Sequence, residues 1–538
     1  MALSLAQSCV PSTFSPSLFG AEVLSLDANL VTNYSASIIE ALRFTAPAVE
    51  LQNATFCNVT VTYTHPGQND NIITEAWLPM EWNERFQAVG GGGWVAGRFL
   101  MSYTNMGGAI ADGYATITTD AGLGSAVEAS PWALLSPGNV NLYNLQNLAS
   151  VSLNDEAIIG KSLIKSFYGR EPKYSYWNGC SQGGRQGLML AQRYPTAYDG
   201  IAAGAPAIYW NEFFSYAQWP QQVMNELGEY PYPCELDAIT AAAVSFCDGL
   251  DGVVDNTIAD IKQCLDRFDP FSVVGNSVAC AETNGTQKVI SKAAATVARA
   301  TWHGRTTADG KQHYHGIAPG SDLTGNQPTT SGGIVETKCD EKGCVGAPNL
   351  LGPLWLKLFV AKDPNFDISN LTRAQYDALA YSGGQQYGSL VDTADSDLTK
   401  FRDNGGKIIS FHGLADFIIP PGATEEYYNS VAKVTPGIQD FFRYFEVPGL
   451  GHCFGGNSAQ PNNLFQQLRD WVENGEAPDR TPIKMSPDGK EVHERILCAY
   501  PQKPQLVASC GNPALAECWS CSSSEAPAVS ARPEQRDL

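Results

Sequence analysis

The stretch WNGCSQGGR, residues 177–185, constrains this chain more than any other. Its G-x-S-x-G motif is centred on Ser181, between a strand-like run at 174–177 and a helix-like run at 186–194. A serine on so tight a turn has strained backbone angles, and the flanking glycines remove Cβ atoms that would collide with the strand and the helix. The positive end of the helix would face an oxyanion at the serine. The motif predicts a nucleophile elbow, although a glycine-rich turn fits it equally well.

Two downstream segments supply the partners that a catalytic serine needs. The apolar run 407–411 leads to Asp416, and the run 443–447 leads to His452. Open α/β sheets build their sites just past the carboxyl ends of strands, and the chain order Ser181, Asp416, His452 is that of an α/β-hydrolase triad. We expect His452 to be the general base and Asp416 to orient it. A single histidine is more often structural, but the three residues together favour catalysis.

A pair of cysteines flanks the predicted triad. Cys180 precedes the nucleophile and Cys453 follows the base, so convergence of the triad would bring them within disulfide range. Such a bridge would close a loop of more than 270 residues, near the top of the roughly 2–5 kcal/mol range for disulfides. It would also hold the base against the nucleophile. The alternative is that each cysteine pairs elsewhere.

Four consecutive glycines, residues 90–93, follow the strand-like run 86–89 and precede Trp94. Glycines at a strand end let backbone N–H groups approach a ligand closely, and α/β hydrolases take one oxyanion donor from such a loop. We therefore expect Gly92 and Gly93 to contribute to an oxyanion hole. A flexible turn is the alternative, but Trp94 favours a packed loop.

The remaining apolar segments predict a mainly parallel α/β sheet. Strand-like runs lie at 59–64, 72–78, 114–119 and 200–206, and a helical stretch covers roughly 143–167. Residues 207–400 lack this alternation, so we expect an inserted lid there. The catalytic domain would then be discontinuous, formed by residues 1–206 and 401–521. Residues 522–538 are rich in Ser, Pro and charge and are predicted to be a disordered tail.

The charge of the chain excludes two classes of partner. Its 538 residues include 34 Lys plus Arg and 55 Asp plus Glu, a formal net charge of −21. Such a surface repels phosphate backbones and anionic membranes, so we expect neither nucleic acid nor membrane as a partner. The sequence also has no run of about 18 apolar residues that could span a bilayer.

Fourteen cysteines and five glycosylation sequons indicate a secreted, oxidised protein. The sequons begin at Asn33, Asn53, Asn58, Asn284 and Asn370. The cysteine clusters lack the paired C-x-x-C units of zinc sites, which favours disulfides, and Cys9 with Cys57 is expected to hold the N-terminal arm. Residues 1–20 contain no continuous apolar segment typical of a signal peptide, so we take the chain to be mature or trimmed.

The stretch CDGLDGVVDNT, residues 247–257, is a candidate metal site. It places Asp248, Asp251 and Asp255 within eight residues, with glycines that permit tight turns. Oxygen ligands at this density suit Ca²⁺. The spacing is not that of an EF-hand and no Glu closes the loop, so these residues alone leave an acidic surface turn equally open.

The chain resembles the fungal tannase/feruloyl esterase family over about residues 9–521. The residues that carry the resemblance are Cys180, Ser181, Asp416, His452 and Cys453, the family's CS-D-HC arrangement, together with the glycine loop. The resemblance implies an α/β-hydrolase fold with a large inserted lid domain, a Cys180–Cys453 bridge and hydrolysis of aromatic carboxylic esters. It adds the backbone N–H of Gln182 to the oxyanion hole.

The same resemblance implies a structural Ca²⁺ in the 247–257 stretch. The implied ligands are the carboxylates of Asp248, Asp251 and Asp255 and the backbone carbonyls of Val253 and Thr257. Thr257 stands where an apolar residue is usual, which a backbone ligand should tolerate. A Cys247–Cys264 disulfide would brace the loop, and no organic cofactor is expected.

We therefore expect a secreted serine carboxylesterase that cleaves feruloyl or other hydroxycinnamoyl esters of plant cell-wall polysaccharides through an acyl-enzyme on Ser181. A tannase acting on galloyl esters is the nearest alternative, because the family motifs do not separate the two activities. A peptidase on the same fold is a further alternative. A non-catalytic secreted glycoprotein is disfavoured because all three triad residues are present.

Overall fold

A central sheet of nine strands organises the structure, a computed structural model that describes residues 4–283, 285–326, 332–485 and 492–523. The strands are β1 (Glu22–Ile38), β2 (Val49–Thr64), β3 (Ile72–Pro79), β4 (Arg85–Val89), β5 (Ala115–Thr119), β6 (Tyr174–Cys180), β7 (Gly200–Gly204), β8 (Lys407–Gly413) and β9 (Phe442–Val447). Their order is β1-β2-β3-β5-β4-β6-β7-β8-β9. The pairs β1–β2, β2–β3 and β3–β5 are antiparallel. The five remaining pairs along the sheet are parallel.

The predicted mainly parallel α/β sheet is confirmed. Every strand-like run identified in the sequence overlaps one of these strands. The edge strand β1 was not identified from the sequence, although Leu24, Leu26, Ala28 and Leu30 alternate with polar residues; most of its side chains are exposed.

Helices cover both faces of the sheet. Those of seven or more residues among the described ranges are α1 (Leu100–Ala111), α2 (Ser152–Tyr168), α3 (Gln182–Arg193), α4 (Trp210–Ala217), α5 (Trp219–Leu227), α6 (Pro233–Cys247), α7 (Ile261–Arg267), α8 (Lys292–His303), α9 (Arg373–Val391), α10 (Pro421–Val434) and α11 (Leu464–Asn474). Apolar residues of α2, α3 and α10 pack in one core, and those of α11 pack in another. The predicted helical stretch begins as a short helix, passes through a π-helix at Asn147–Val151 and continues as α2.

Helices α4 to α9 lie between β7 and β8, in the segment predicted to be a lid. No described strand of residues 205–406 joins the central sheet. The aromatic core of this segment includes Trp210, Phe214 and Phe359, and Trp94 packs into it with its ring centroid 5.3 Å from that of Phe359. The residue that follows the glycine loop is thus buried against the segment above it. The proposed domain boundaries stay a prediction.

All fourteen cysteines form disulfides. The pairs are Cys9–Cys57, Cys180–Cys453, Cys234–Cys280, Cys247–Cys264, Cys339–Cys344, Cys498–Cys521 and Cys510–Cys518. The first, second and fourth pairs were predicted from the sequence and are confirmed.

The described C-terminal residues end in a strand, Trp519–Ser523, which pairs with Gln502–Leu506. The predicted tail therefore begins two residues too early, because Ser522 and Ser523 are still in this ladder. The rest of the predicted tail, residues 524–538, lies outside the described residues.

Three of the sequon asparagines, Asn33, Asn53 and Asn370, are exposed. Asn58 is half-buried, and its Nδ2 donates to Glu75 Oε1 at 3.0 Å. Asn284 lies outside the described residues. Among the helices that the structure describes, none has both the length and the apolar character needed to cross a bilayer.

Candidate active site

Ser181 stands at the sharp turn between β6 and α3. Its backbone has φ 64° and ψ −122°, a conformation that costs energy and is typical of functional turns. Its N–H donates to the Gly204 carbonyl at 2.9 Å. A Cβ on Gly179 would lie 2.6 Å from the carbonyl carbon of Gly183, so only glycine allows this close approach. The strand–turn–helix geometry predicted for the motif is present.

Asp416 holds the imidazole of His452. Its Oδ2 lies 2.7 Å from His452 Nδ1, and its Oδ1 accepts the N–H groups of Ile418 and Ile419 at 2.8 and 2.9 Å. Asp416 is fully buried. With Nδ1 fixed in this way, Nε2 is the nitrogen left for a proton from the nucleophile.

Ser181 and His452 line the same cavity. Among the described residues no hydrogen bond joins the two side chains. Nucleophile and base are often loosely placed before substrate binds, so their position on one cavity is the relevant observation. The structure thus brings the three predicted residues to a single site.

His412 is a second histidine on the acid, and the sequence prediction missed this role. Its Nε2 lies 3.1 Å from Asp416 Oδ2 and 3.0 Å from the Ile419 carbonyl, while its Nδ1 lies 2.8 Å from Thr424 Oγ1. Because a carbonyl can only accept, Nε2 carries the proton and His412 donates to Asp416. The clue in the sequence was its place at the end of β8, four residues before the acid.

The surroundings of Asp416 keep it ionised. Burial alone would raise the pKa of this carboxyl group, but the charge of His452 and the hydrogen bonds from His412 and His452 outweigh burial. The net result is a pKa well below the usual range. A carboxylate that stays charged can stabilise the imidazolium formed when His452 accepts a proton.

Two backbone segments offer candidate oxyanion donors. Gln182 is the first residue of α3, where backbone N–H groups have no partner within the helix, and it lines the cavity beside Ser181. The prediction for Gly92 is wrong, since its N–H donates to the Val95 carbonyl at 3.1 Å in a small local bridge. Gly93 also lines the cavity, and its N–H has no acceptor among the described residues. Gln182 and Gly93 are therefore the available pair.

Gln186 fixes the glycine loop to the nucleophile helix. Its Oε1 accepts the N–H of Gly91 at 2.9 Å, and its Nε2 donates to the Ala96 carbonyl at 2.9 Å. The side chain is fully buried. One amide therefore holds both ends of the loop that carries Gly93, a contact that the sequence prediction also missed.

Arg185 is buried behind the nucleophile. Its guanidinium donates to Gln182 Oε1 at 2.6 Å and to the carbonyls of Leu148 and Ala149 at 2.9 and 3.0 Å. Burial lowers the pKa of Arg185 to about 9. The two carbonyls belong to the π-helix, whose altered hydrogen-bonding leaves them facing this side chain. No signal in the sequence identifies that contact.

The Cys180–Cys453 disulfide joins the residue before the nucleophile to the residue after the base. The two Cα atoms are 6.0 Å apart and 273 residues apart in the chain. Cys453, like Ser181, has a positive φ, here 62°. The bridge thus ties two strained turns that come from opposite sides of the lid segment.

A cavity of about 580 Å³ opens beside Ser181 and His452. Its apolar walls include Phe44, Phe99, Met101, Val127, Ala207, Trp210, Phe213, Phe214, Leu351, Phe417, Ile418 and Phe454. Apart from Ser181 and His452, Asn105 and Gln182 are the polar side chains among the described residues that line it, and no Lys, Arg, Asp or Glu does so. An apolar, aromatic chamber next to a serine suits an aromatic acyl group.

The 247–257 stretch fits Ca²⁺ in its chemistry. Asp248 and Asp255 are buried, and burial together with the neighbouring carboxylates raises the pKa of Asp251. Arg495 supplies one compensating positive charge through an ion pair with Asp255. In this conformation the three carboxylates do not each bring an oxygen within 4.8 Å of the others, as judged over the described ranges. Their oxygens instead accept loop N–H groups, including that of Asp255 on Asp248 at 2.8 Å.

Comparison with known proteins identifies the family. The family model described as tannase and feruloyl esterase matches residues 57–521. The chain belongs to the tannase and feruloyl esterase family. It is 36% identical over 504 residues to a probable feruloyl esterase of Arthroderma benhamiae, covering 91% of this chain and 89% of that protein. It is 29% identical over 502 residues to a tannase of Aspergillus oryzae, covering 84% and 83%.

Solved structures of this family have the same fold. A tannin acyl hydrolase from Aspergillus niger superposes with a TM-score of 0.83 at 29% identity, covering 97% of this chain and 96% of its own. The feruloyl esterase B of Aspergillus oryzae has a TM-score of 0.76 at 23% identity, covering 96% and 100%, a likeness of fold alone. The predicted α/β-hydrolase fold is confirmed, and the chain is a carboxylic ester hydrolase.

Proposed function

We propose that this esterase is a feruloyl esterase that releases hydroxycinnamic acids through an acyl-enzyme on Ser181. His452 accepts the Ser181 proton as Oγ attacks the ester carbonyl, and the N–H groups of Gln182 and Gly93 receive the negative oxygen. His452 then gives its proton to the leaving alcohol. In the second half, His452 takes a proton from water as the water oxygen attacks the acyl carbonyl. The bond to Ser181 Oγ then breaks, His452 returns the proton to Oγ, and the acid is released.

The composition of the cavity is the observation that favours a feruloyl over a galloyl ester. A galloyl ring carries three phenolic hydroxyl groups, and each loses its water on entering an apolar chamber. Apart from Ser181 and His452, the polar side chains on the described walls are Asn105 and Gln182. A feruloyl ring has one hydroxyl and one methoxy group, so it leaves fewer polar groups unpaired.

A panel of methyl esters tests this proposal. We expect kcat/KM to be at least about tenfold higher for methyl ferulate than for methyl gallate, since tenfold corresponds to about one unpaired hydroxyl group. Methyl p-coumarate, caffeate and sinapate complete the panel, and Ser181→Ala gives the background rate. A preference for methyl gallate would make the enzyme a tannase.

We also propose that the 247–257 stretch binds one structural Ca²⁺ through Asp248, Asp251, Asp255 and the carbonyls of Val253 and Thr257. Two buried carboxylates, Asp248 and Asp255, next to Asp251 support this proposal, because one guanidinium offsets only one of the three charges. Elemental analysis after dialysis should find about one Ca²⁺ per chain, and Asp251→Asn should reduce it. Glu476→Gln, which changes an exposed acid elsewhere, is the matched control, and equal calcium in both variants would contradict the site.

Secretion is likewise a proposal. Seven disulfides and exposed sequons support it, since such bonds persist in oxidising compartments. Plant cell-wall polysaccharides bearing feruloyl groups would then be the natural substrates. The protein recovered from the medium of an expressing fungal host should lose mass on treatment with an endoglycosidase, and protein retained inside the cells would contradict the proposal.

A further inference from the structure

We propose that Asn105 recognises the para-hydroxyl group of the acyl ring, an inference that rests on the proposed function. Asn105 lies on α1 and is 6% exposed. Its side chain lines the cavity next to Ser181 and His452. Its Nδ2 donates to the Met101 carbonyl at 3.0 Å, one helical turn back. This bond fixes the amide and leaves its Oδ1 as a free acceptor.

Apart from Ser181 and His452, Asn105 Oδ1 is the side-chain acceptor left free on the described cavity wall. In the described part of the chain, no donor contacts Asn105 Oδ1. The other amide, Gln182, has its Oε1 occupied by Arg185 Nε at 2.6 Å. Since the other wall residues apart from Ser181 and His452 are apolar or glycine and cysteine, a phenolic O–H that enters the chamber can donate to Asn105 Oδ1.

The position of α1 separates this acceptor from the glycine loop. The start of the helix packs on the glycine loop, with Ser102 Oγ donating to the Gly90 carbonyl at 3.0 Å and Phe99 against Gly92. Asn105 lies three residues, about 4.5 Å along the helix axis, beyond Ser102. The ester carbonyl binds at the glycine loop, and the para-hydroxyl is the opposite end of a hydroxycinnamoyl group. The geometry therefore assigns the carbonyl to Gly93 and the hydroxyl to Asn105.

Substrates that differ only at the para position test this assignment. We expect wild-type kcat/KM to be about tenfold or more higher for methyl p-coumarate than for methyl cinnamate, because a site built for a hydroxyl group loses a paired hydrogen bond when the group is missing. Methyl 3,4-dimethoxycinnamate, which cannot donate, should be similarly poorer than methyl ferulate. These wild-type measurements do not depend on the folding of any variant.

Variants then connect the preference to the residue. Asn105→Leu should bring the p-coumarate to cinnamate ratio close to one by slowing p-coumarate alone, while Asn105→Asp, which keeps an acceptor, should retain a preference. Thr104→Val is the matched control: it removes a similar bond on the same helix, Thr104 Oγ1 to the Leu100 carbonyl at 2.9 Å, outside the cavity. Its ratio should equal that of the wild type.

Two results would overturn the inference and one would overturn the proposed function beneath it. A wild-type enzyme that hydrolyses both esters equally well, or an Asn105→Leu variant that keeps the wild-type ratio, contradicts the role of Asn105 while leaving the feruloyl esterase activity intact. Failure of the wild type to hydrolyse any methyl hydroxycinnamate contradicts the proposed function, and the inference falls with it.

Discussion

Removal of the Cys180–Cys453 bridge should cost both stability and activity. The bridge closes a loop of 273 residues, for which the loop-entropy relation gives about 5.6 kcal/mol of stabilisation. The Cys339–Cys344 bridge closes only five residues, for which the same relation gives about 2 kcal/mol. We expect Cys180→Ala with Cys453→Ala to lower the free energy of unfolding by about 3.5 kcal/mol more than Cys339→Ala with Cys344→Ala.

The activity of the same two double variants shows whether the bridge positions the catalytic residues or only stabilises the fold. Cys180 and Cys453 each adjoin a triad residue, and their Cα atoms are 6.0 Å apart. Without the bridge, His452 and Ser181 lose the covalent link that limits their separation, so kcat for methyl ferulate should fall by tenfold or more. The Cys339–Cys344 hairpin lies outside the cavity, and its loss should leave kcat unchanged.

The measurements are urea unfolding followed by tryptophan fluorescence without reductant, and initial rates at saturating ester. Equal stability losses in the two double variants would refute the entropic reasoning. A kcat equal to that of the wild type in the Cys180→Ala, Cys453→Ala variant would refute the claim that the bridge positions His452 relative to Ser181.

Three further predictions concern side chains that support the triad and the glycine loop. His412→Gln should lower kcat on the order of tenfold, because the charged Asp416 carboxylate loses the hydrogen bond that the His412 imidazole donates. An unchanged kcat would show that His412 has no role in the site. Gln186→Leu should lower kcat by a similar order with little change in KM, as the loop between Gly91 and Ala96 loses its anchor; a change in KM alone would contradict this. The pKa of Asp416 is lower in the folded than in the unfolded protein, so its stabilising contribution is complete above its ordinary pKa near 3.8 and is lost as the pH falls towards the folded value. The urea midpoint should therefore fall less between pH 6 and pH 3 in Asp416→Asn than in the wild type, and equal falls would contradict the assigned pKa.

The catalytic residues could be predicted because each depends on a local pattern. Ser181 follows a strand and opens a helix, and Asp416 and His452 each follow a strand, so parallel pairing alone brings them to one edge of the sheet. The Cys180–Cys453 bridge could be predicted because Cys180 adjoins Ser181 and Cys453 adjoins His452. When Ser181 and His452 come together, Cys180 and Cys453 next to them also come within disulfide range.

The residues that support the site could not be predicted, because their contacts join distant parts of the chain. Gln186 bonds Ala96 across 90 residues, and Arg185 reaches the π-helix 36 residues away. Gly92 was expected to be an oxyanion donor, but whether a loop N–H faces the cavity or closes a local turn depends on the backbone conformation of the loop, which composition does not set. Strand β1 was also not identified, although its residues from Leu24 to Leu30 alternate between apolar and polar.

The chemistry of the lid is the part that sequence reasoning left most open. Residues 207–400 contain many Trp, Tyr and Phe residues, and three of them, Trp210, Phe213 and Phe214, line the cavity. Several other aromatic residues, such as Trp355, are instead fully buried in the core of that segment. Aromatic composition alone does not distinguish these two positions, because both require a large apolar surface.

Trapping of the acyl-enzyme tests the central claim most directly. The wild type should be mixed with methyl ferulate, quenched in acid within the first turnover and digested for mass spectrometry. A feruloyl group on the peptide that contains Ser181, and its absence in Ser181→Ala, is the result predicted by the triad of Ser181, Asp416 and His452. Rapid turnover of methyl ferulate by Ser181→Ala, or a feruloyl group on any other residue, would contradict it.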